Sequence, residues 1–388
     1  MSRLQRLLGG TALILGALAG AAAHAQTAPA PPAALPADIA AQDQSGIGRR
    51  GFFYVGGQYA GEGAAQLMRG QIYVEVVVPR EVRQPYPLVL IHGAAQTATN
   101  WMGTPDGRQG WADYFAGQGY IVYMIDQPSR GRSSSDVGRD GRQINWAAGA
   151  IEDLFTSPER AMRWPQASLH TQWPGTGRRG DPVFDRFYAT QVEGLASNED
   201  SERLMQIAGA ALLDRIGPAI LMTHSQAGPF GWLIADARPR LVKGIMALEP
   251  SGPPFWDAVL GDGPNRRWGL TNPPMTYDPP VTDPAQLQVA QEATADGPNL
   301  ERCRLQTGTP HQLPNLRGIP IAIVVAEASY HSVYDHCTSK YLRQAGVEND
   351  FLRLADQGIR GNGHMIMIER NSLEIAQFLD RWMREHIR

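Results

Sequence analysis

The sequence predicts an α/β domain with a mostly parallel central sheet flanked by helices, and three observations carry that prediction. Short apolar runs recur at 88–91, 120–125, 219–223, 244–248 and 319–326. Each is bounded by turn residues, as expected of strands buried on both faces of a parallel sheet. Helical patterns at 110–116, 198–215 and 371–386 alternate with them, the arrangement of one layered α/β domain. Finally, 52–59 and 71–78 read as an opening antiparallel pair around a Gly-rich turn, and 351–354 reads as the last strand.

The first residues have the form of a secretory leader, expected to span 1–25. Arg3 and Arg6 precede an apolar stretch at 7–21, and Ala23-His24-Ala25 forms an A-x-A cleavage site before Gln26. The apolar stretch is short and glycine-interrupted, which favours a leader over a membrane anchor. An Ala/Pro-rich linker is expected at 26–45. The formal charge of −3 becomes −5 once Arg3 and Arg6 leave, and no basic run occurs, so nucleic acid is not an expected partner. The 43% hydrophobic content is that of an ordinary globular protein. The two cysteines, Cys303 and Cys337, form an even pair suited to one disulfide in an oxidising compartment. They lack the histidine spacing of a metal site, and neither metal nor cofactor is expected.

The helix at 198–215 is the clearest. Asn198 stands as its cap, acids fill the first turn, and apolar residues recur at Leu204, Ile207, Ala208 and Leu212. The helix at 371–386 closes the domain. Two long segments, 128–196 and 251–318, break the rhythm. The second is dense in proline, and both carry aromatic residues, so each reads as an ordered cap over an apolar pocket rather than a linker. Trp101, Phe255 and Trp256 are the expected pocket aromatics, although for any single Trp anchoring to the core is the commoner role. The ligand expected there is a small ester with an apolar part. No membrane span is expected once the leader is gone.

The chemistry is concentrated at Thr223-His224-Ser225-Gln226-Ala227. An apolar strand ends abruptly in a serine among small residues and a second apolar segment follows, the sequence form of a nucleophile elbow. The usual G-x-S-x-G glycines are replaced by Thr223 and Ala227. A serine hydroxyl needs a base, and the base an orienting acid. The chain order Ser, acid, His places the base late, at His364 in Gly361-Asn362-Gly363-His364-Met365, where the glycines leave the loop free to project the ring. His331, His336 and His386 lie away from that position. Two strand-end carboxylates compete for the acid's role, Glu249 and Glu327, and periodicity leaves both open. The oxyanion donors expected are the N–H groups of Ala94, after His92-Gly93, and of Gln226. Gly93 is expected to allow an unusual backbone turn. Asp126 reads as a structural acid organising the cap entry with Arg130 and Arg132.

With these pieces placed, the chain resembles the α/β-hydrolase superfamily, and more narrowly a small group of secreted bacterial esterases. The resemblance rests on His92-Gly93 through Trp101, on Asp126 through Arg132, on His224-Ser225-Gln226 and on Gly361 through Met365. Ala247-Leu248-Glu249-Pro250 strengthens it. In that group the acid is a Glu after strand six, so the resemblance implies Glu249 rather than Glu327. It further implies ester hydrolysis through an acyl-enzyme in the periplasm or medium. Lactone or amide hydrolysis by the same groups, or a binding protein that has lost catalysis, are the rival readings.

Overall fold

The computed structural model describes residues 42–133 and 137–388. The expected leader and most of the expected linker lie outside the described residues. Eight strands form the main sheet: β1 (Ile47–Ala60), β2 (Leu67–Pro79), β3 (Leu88–Ile91), β4 (Val122–Asp126), β5 (Ala219–His224), β6 (Val242–Leu248), β7 (Ile321–Val325) and β8 (Asp350–Arg353). Their order is β1-β2-β4-β3-β5-β6-β7-β8. Strand β2 is antiparallel to β1 and β4, and from β4 to β8 every pairing is parallel.

The reason the parallel strands are apolar throughout is visible in the packing. Side chains alternate between faces, and both faces are covered. Leu88, Leu90, Ile220, Met222, Met246 and Leu248 enter one core with Trp111 and Phe115. Val89, Ile91, Leu221, Ile245 and Ala247 enter the other with Phe230, Trp232 and Leu233. The first core includes α1 (Trp111–Gly117) and the second α4 (Gly228–Ala237). Truncating one of the Leu, Ile or Met side chains among them to Ala would cost about 2–5 kcal/mol.

Between the sheet strands lie α2 (Pro182–Tyr188), α3 (Asn198–Ile216) and α5 (Asp335–Gln344), and α6 (Ser372–His386) follows the last strand. Ser197, not Asn198, caps α3: its hydroxyl accepts from Asp200 N at 3.1 Å. Ile207 is 50% exposed rather than core-facing. The described residues of 128–196 include short helical turns and a two-residue ribbon, Gln143–Ile144 with Gly194–Leu195. The segment 251–318 carries two further small ribbons and the bridge from Cys303 to Cys337 in α5. Trp164, Trp173, Phe184 and Trp268 are all buried, anchoring these segments to the core.

Candidate active site

Ser225 follows β5 directly and has φ 57°. A non-glycine residue held in that left-handed region carries backbone strain, tolerated where the surroundings over-determine it. The missing glycine of the elbow reappears across the interface. A Cβ on Gly231, one turn into α4, would lie 3.1 Å from the Thr223 methyl, so the helix yields the space that the strand residue takes. Gly228 similarly admits Pro250, whose Cβ would be 2.4 Å from a Cβ at that position.

Glu249 follows β6, is fully buried and has φ 48°. Its Oε2 lies 2.5 Å from His364 Nδ1 and accepts the Ser329 hydroxyl at 2.7 Å; Oε1 accepts Ala326 N at 2.8 Å. Because the carboxylate accepts the Nδ1 proton, the Nε2 lone pair is left unprotonated. Burial pushes the Glu249 carboxyl up to about 7, opposed by the field of His331 and by the Ser329 and Ala326 hydrogen bonds. Burial, then His331, holds His364 well below the ordinary imidazole value, which keeps the ring neutral near pH 7.

Glu327 is engaged elsewhere. It accepts from Arg360 Nη1 at 2.7 Å and from Gly361 N at 2.9 Å, bracing the loop that carries His364. That loop is pinned rather than free. A Cβ on Gly361 would lie 2.1 Å from Thr171 Oγ1, and one on Gly363 3.0 Å from both Glu369 Oε1 and His170 Cδ2. Its glycines therefore permit close packing. Glu369, also fully buried, accepts Gly363 N at 2.9 Å, Asn362 Nδ2 at 2.7 Å and His170 Nε2 at 3.0 Å.

Ser225, His364, Ala94 and Gln226 all line one cavity of about 330 Å³. The positive φ in the loop after β3 belongs to Ala95, at 57°, not to Gly93. Gly93 is required for space: a Cβ there would sit 2.9 Å from Ser225 Cβ. The expected pocket aromatics do not line this cavity. Trp101 is fully buried against Trp111, Phe255 packs edge-on to Tyr341, and Trp256 stacks with the Arg304 guanidinium. Large apolar residues, unlike small loop residues, find the core or a neighbouring stem before they find a ligand. Trp146, Phe155, Ile144, Leu195 and Leu260 form the apolar wall instead, facing Asn198, Glu202, Asp257, Asn265 and Arg266.

Several residues at the site were not expected there. The Tyr330 hydroxyl lies 3.4 Å from His364 Nε2 and has Ser225 as its other polar neighbour. His331 stacks face to face on His364, ring centroids 4.8 Å apart, with its own Nδ1 bonded to Asp335 at 2.9 Å. Burial keeps His331 neutral, down to about 4. No local pattern announces Ser329 and Tyr330; the one available signal is that 326–331 directly follows a predicted strand's C-terminal end, where this sheet class places functional loops. His336 lies beside the disulfide and His386 stacks on Trp382.

This strand order, with a strained serine after the fifth strand and a buried Glu–His pair beside it, defines the α/β-hydrolase class of fold. The chain belongs to the alpha/beta hydrolase family, whose model matches residues 88–378. It is 49% identical over 334 residues to a probable secreted lipase, phiG, of Fungal sp. (strain ATCC 74256), covering 86% of this chain and 89% of that one. In structure it is similar to a bacterial esterase known at atomic resolution, with a TM-score of 0.55 and 20% identity, covering 88% of this chain and 96% of that one. Among the described residues, no helix is long and apolar enough to cross a membrane.

Proposed function

We propose that this protein is an exported carboxylic ester hydrolase acting through Ser225, His364 and Glu249 by way of an acyl-enzyme. The observation that carries the reading is the 2.5 Å bond from the buried Glu249 to His364, which lines the same cavity as Ser225. His364 Nε2 takes the Ser225 proton as the hydroxyl attacks the ester carbonyl. Glu249 fixes the ring tautomer and stabilises the imidazolium that forms. The N–H groups of Ala94 and Gln226 receive the oxyanion. His364 then returns the proton to the departing alcohol, and water repeats the sequence to free the acid.

The relative described as a probable secreted lipase supports both ester chemistry and export. The apolar wall of Trp146, Phe155 and Leu195 suits an ester with an apolar part, enclosed in a pocket at the small end of the ligand-site range. Ser225→Ala tests the reading. Turnover of p-nitrophenyl butyrate and labelling by a fluorophosphonate probe should both vanish, and full labelling of the variant would overturn it.

A further inference from the structure

Arg130 is a buried cation without a counter-ion in contact. It is only 5% exposed, and among the described residues no carboxylate lies within ion-pairing distance of its guanidinium. Asp126 acts on it only through space. Its Nε is buried with no hydrogen-bond partner. A charge left in this condition is costly, and the structure goes to some length to put it there. Asp126 ties down the turn around it by accepting Ala98 N at 2.8 Å and the Arg132 backbone and side chain at 2.9 and 2.8 Å. Gly131, at φ 54°, and Ser129, at φ 58°, turn the chain sharply on either side. Gly194 is hollowed out to receive the guanidinium, since a Cβ there would lie 1.9 Å from Arg130 Nη2. The sequence pairs Arg130 with Arg132 at the cap entry, but only Arg132 turns back to Asp126.

Arg130 points instead at the two residues next to the serine. Its Nη1 donates to Gly93 O at 3.0 Å, and both Nη1 and Nη2 reach Gln226 Oε1 at 3.3 Å. Gly93 C=O and Ala94 N–H are the two ends of a single planar, trans peptide. Fixing the carbonyl on one side fixes the direction of the N–H on the other. A cation on the oxygen also polarises the amide and makes its N–H a stronger donor. His92 adds to this: its Nδ1 lies 2.9 Å from the same Gly93 O, while its Nε2 accepts Gln127 N at 3.2 Å, so Nδ1 carries the proton and donates. On the other side, Gln226 is held between Arg130 and Asn198, whose Oδ1 accepts Gln226 Nε2 at 3.3 Å.

We propose that Arg130 is a positioning residue for the oxyanion site, holding the Gly93–Ala94 peptide and Gln226 in the orientation that the anionic tetrahedral intermediate requires and supplying it with an uncompensated positive field. The inference rests on the ester-hydrolase reading above. A buried cation that lacks a partner in the resting protein gains one when negative charge develops on the substrate oxygen, so its effect falls on the transition state rather than on ground-state binding.

The test compares Arg130→Met and Arg130→Lys with wild type on p-nitrophenyl butyrate. It adds the affinity of a trifluoromethyl ketone, which forms an oxyanionic adduct with a serine, and of butanol as a neutral product-like inhibitor. Arg130→Met should lower kcat by about 10- to 100-fold with KM little changed. It should weaken the ketone by the same factor and leave butanol binding alone. Arg130→Lys keeps the charge but not the fork, and should recover part of both losses; it also carries the comparison if the Met variant does not fold. Retention of kcat within about twofold by the Met variant, equal weakening of ketone and alcohol, or a loss confined to KM for carboxylate-bearing esters would each overturn the proposal. If wild type itself neither turns over the ester nor binds the ketone, the ester-hydrolase reading falls instead.

Discussion

Two histidine–carboxylate pairs lie on either side of Gly363, and their rings differ in charge: His364 is neutral and His170 is a cation. His364 meets Glu249 at 2.5 Å through one nitrogen only. His170 meets carboxylates at both, Glu369 at 3.0 Å and Glu159 at 3.1 Å. Burial pushes both imidazoles down. At His170 it is outweighed by the hydrogen bonds and charges of Glu159 and Glu369, which raise the ring to about 9. At His364 it is not, and the ring stays neutral. The difference lies in the second nitrogen. One carboxylate orients a ring and leaves a lone pair available for proton transfer; two carboxylates lock a ring as a cation and make it a cross-link. Here the cross-link ties the 128–196 segment to the loop that carries His364.

Removing the acid of the neutral pair should have the larger effect. Glu249→Gln preserves shape but offers His364 the wrong hydrogen-bonding partner, and kcat should fall by about 10³- to 10⁴-fold. The variant should remain folded, because an amide can still accept from Ala326 N. On the proposed mechanism the active form needs Glu249 ionised and His364 neutral. The raised carboxyl, at about 7, therefore places the acid limb of wild-type kcat/KM near neutrality, with activity falling as pH drops through it. A pH profile flat down to pH 5 would separate Glu249 from the rate.

The charged pair should show its worth in stability and at the opposite pH. A ring raised from 6.5 to about 9 on folding stabilises fully below the unfolded value, and that stabilisation is lost as pH rises through 9. It amounts to about 3–4 kcal/mol at the acid end. Urea unfolding of wild type and His170→Gln at pH 6, 8 and 10 should show the wild-type advantage shrinking across that window. A constant difference would mean that His170 packs rather than pairs. Acidification thus switches off the neutral pair while leaving the cross-link at full strength.

The two pairs were unequally legible in the sequence. Ser225, His364 and the two strand-end glutamates stand out in the sequence because each sits at a strand's C-terminal end or in a Gly-rich loop, features local to a few residues; only the family resemblance favours Glu249 over Glu327. The inner strands β3 to β7 were legible for the same reason, since alternation of faces imposes an apolar run wherever both faces are covered. Strand ends were less so: β1 begins at Ile47, five residues before the run at 52–59. His170 and Glu369 are 199 positions apart, and nothing near either predicts the other. Tyr330 and Arg130 escaped for a related reason. Their roles depend on where a hydroxyl or guanidinium ends after the chain has turned, and sequence periodicity encodes the face a residue takes, not the reach of its tip. Trp101, Phe255 and Trp256 failed in the other direction, because aromatic composition marks burial more strongly than it marks a ligand wall.

Glu327→Gln should have the smallest effect, and it sharpens the comparison because Glu327 braces the same loop from its other end. Its partner Arg360 is two-thirds exposed, so the ion pair is screened and worth at most about 1 kcal/mol. A glutamine keeps an acceptor for Gly361 N, and the loop retains Glu369 and His170. Activity should stay within about threefold of wild type, measured on the same ester as Glu249→Gln. The two strand-end glutamates would then differ by several orders of magnitude under one substitution. The reason is positional. Glu249 has no solvent to replace its partner and, on the proposed mechanism, faces a ring that becomes cationic during the reaction, whereas Glu327 holds a backbone amide whose charge never changes. A large kcat loss at Glu327 with an intact Glu249 variant would reverse the assignment, and would mean that loop placement, rather than stabilisation of the imidazolium, limits the rate.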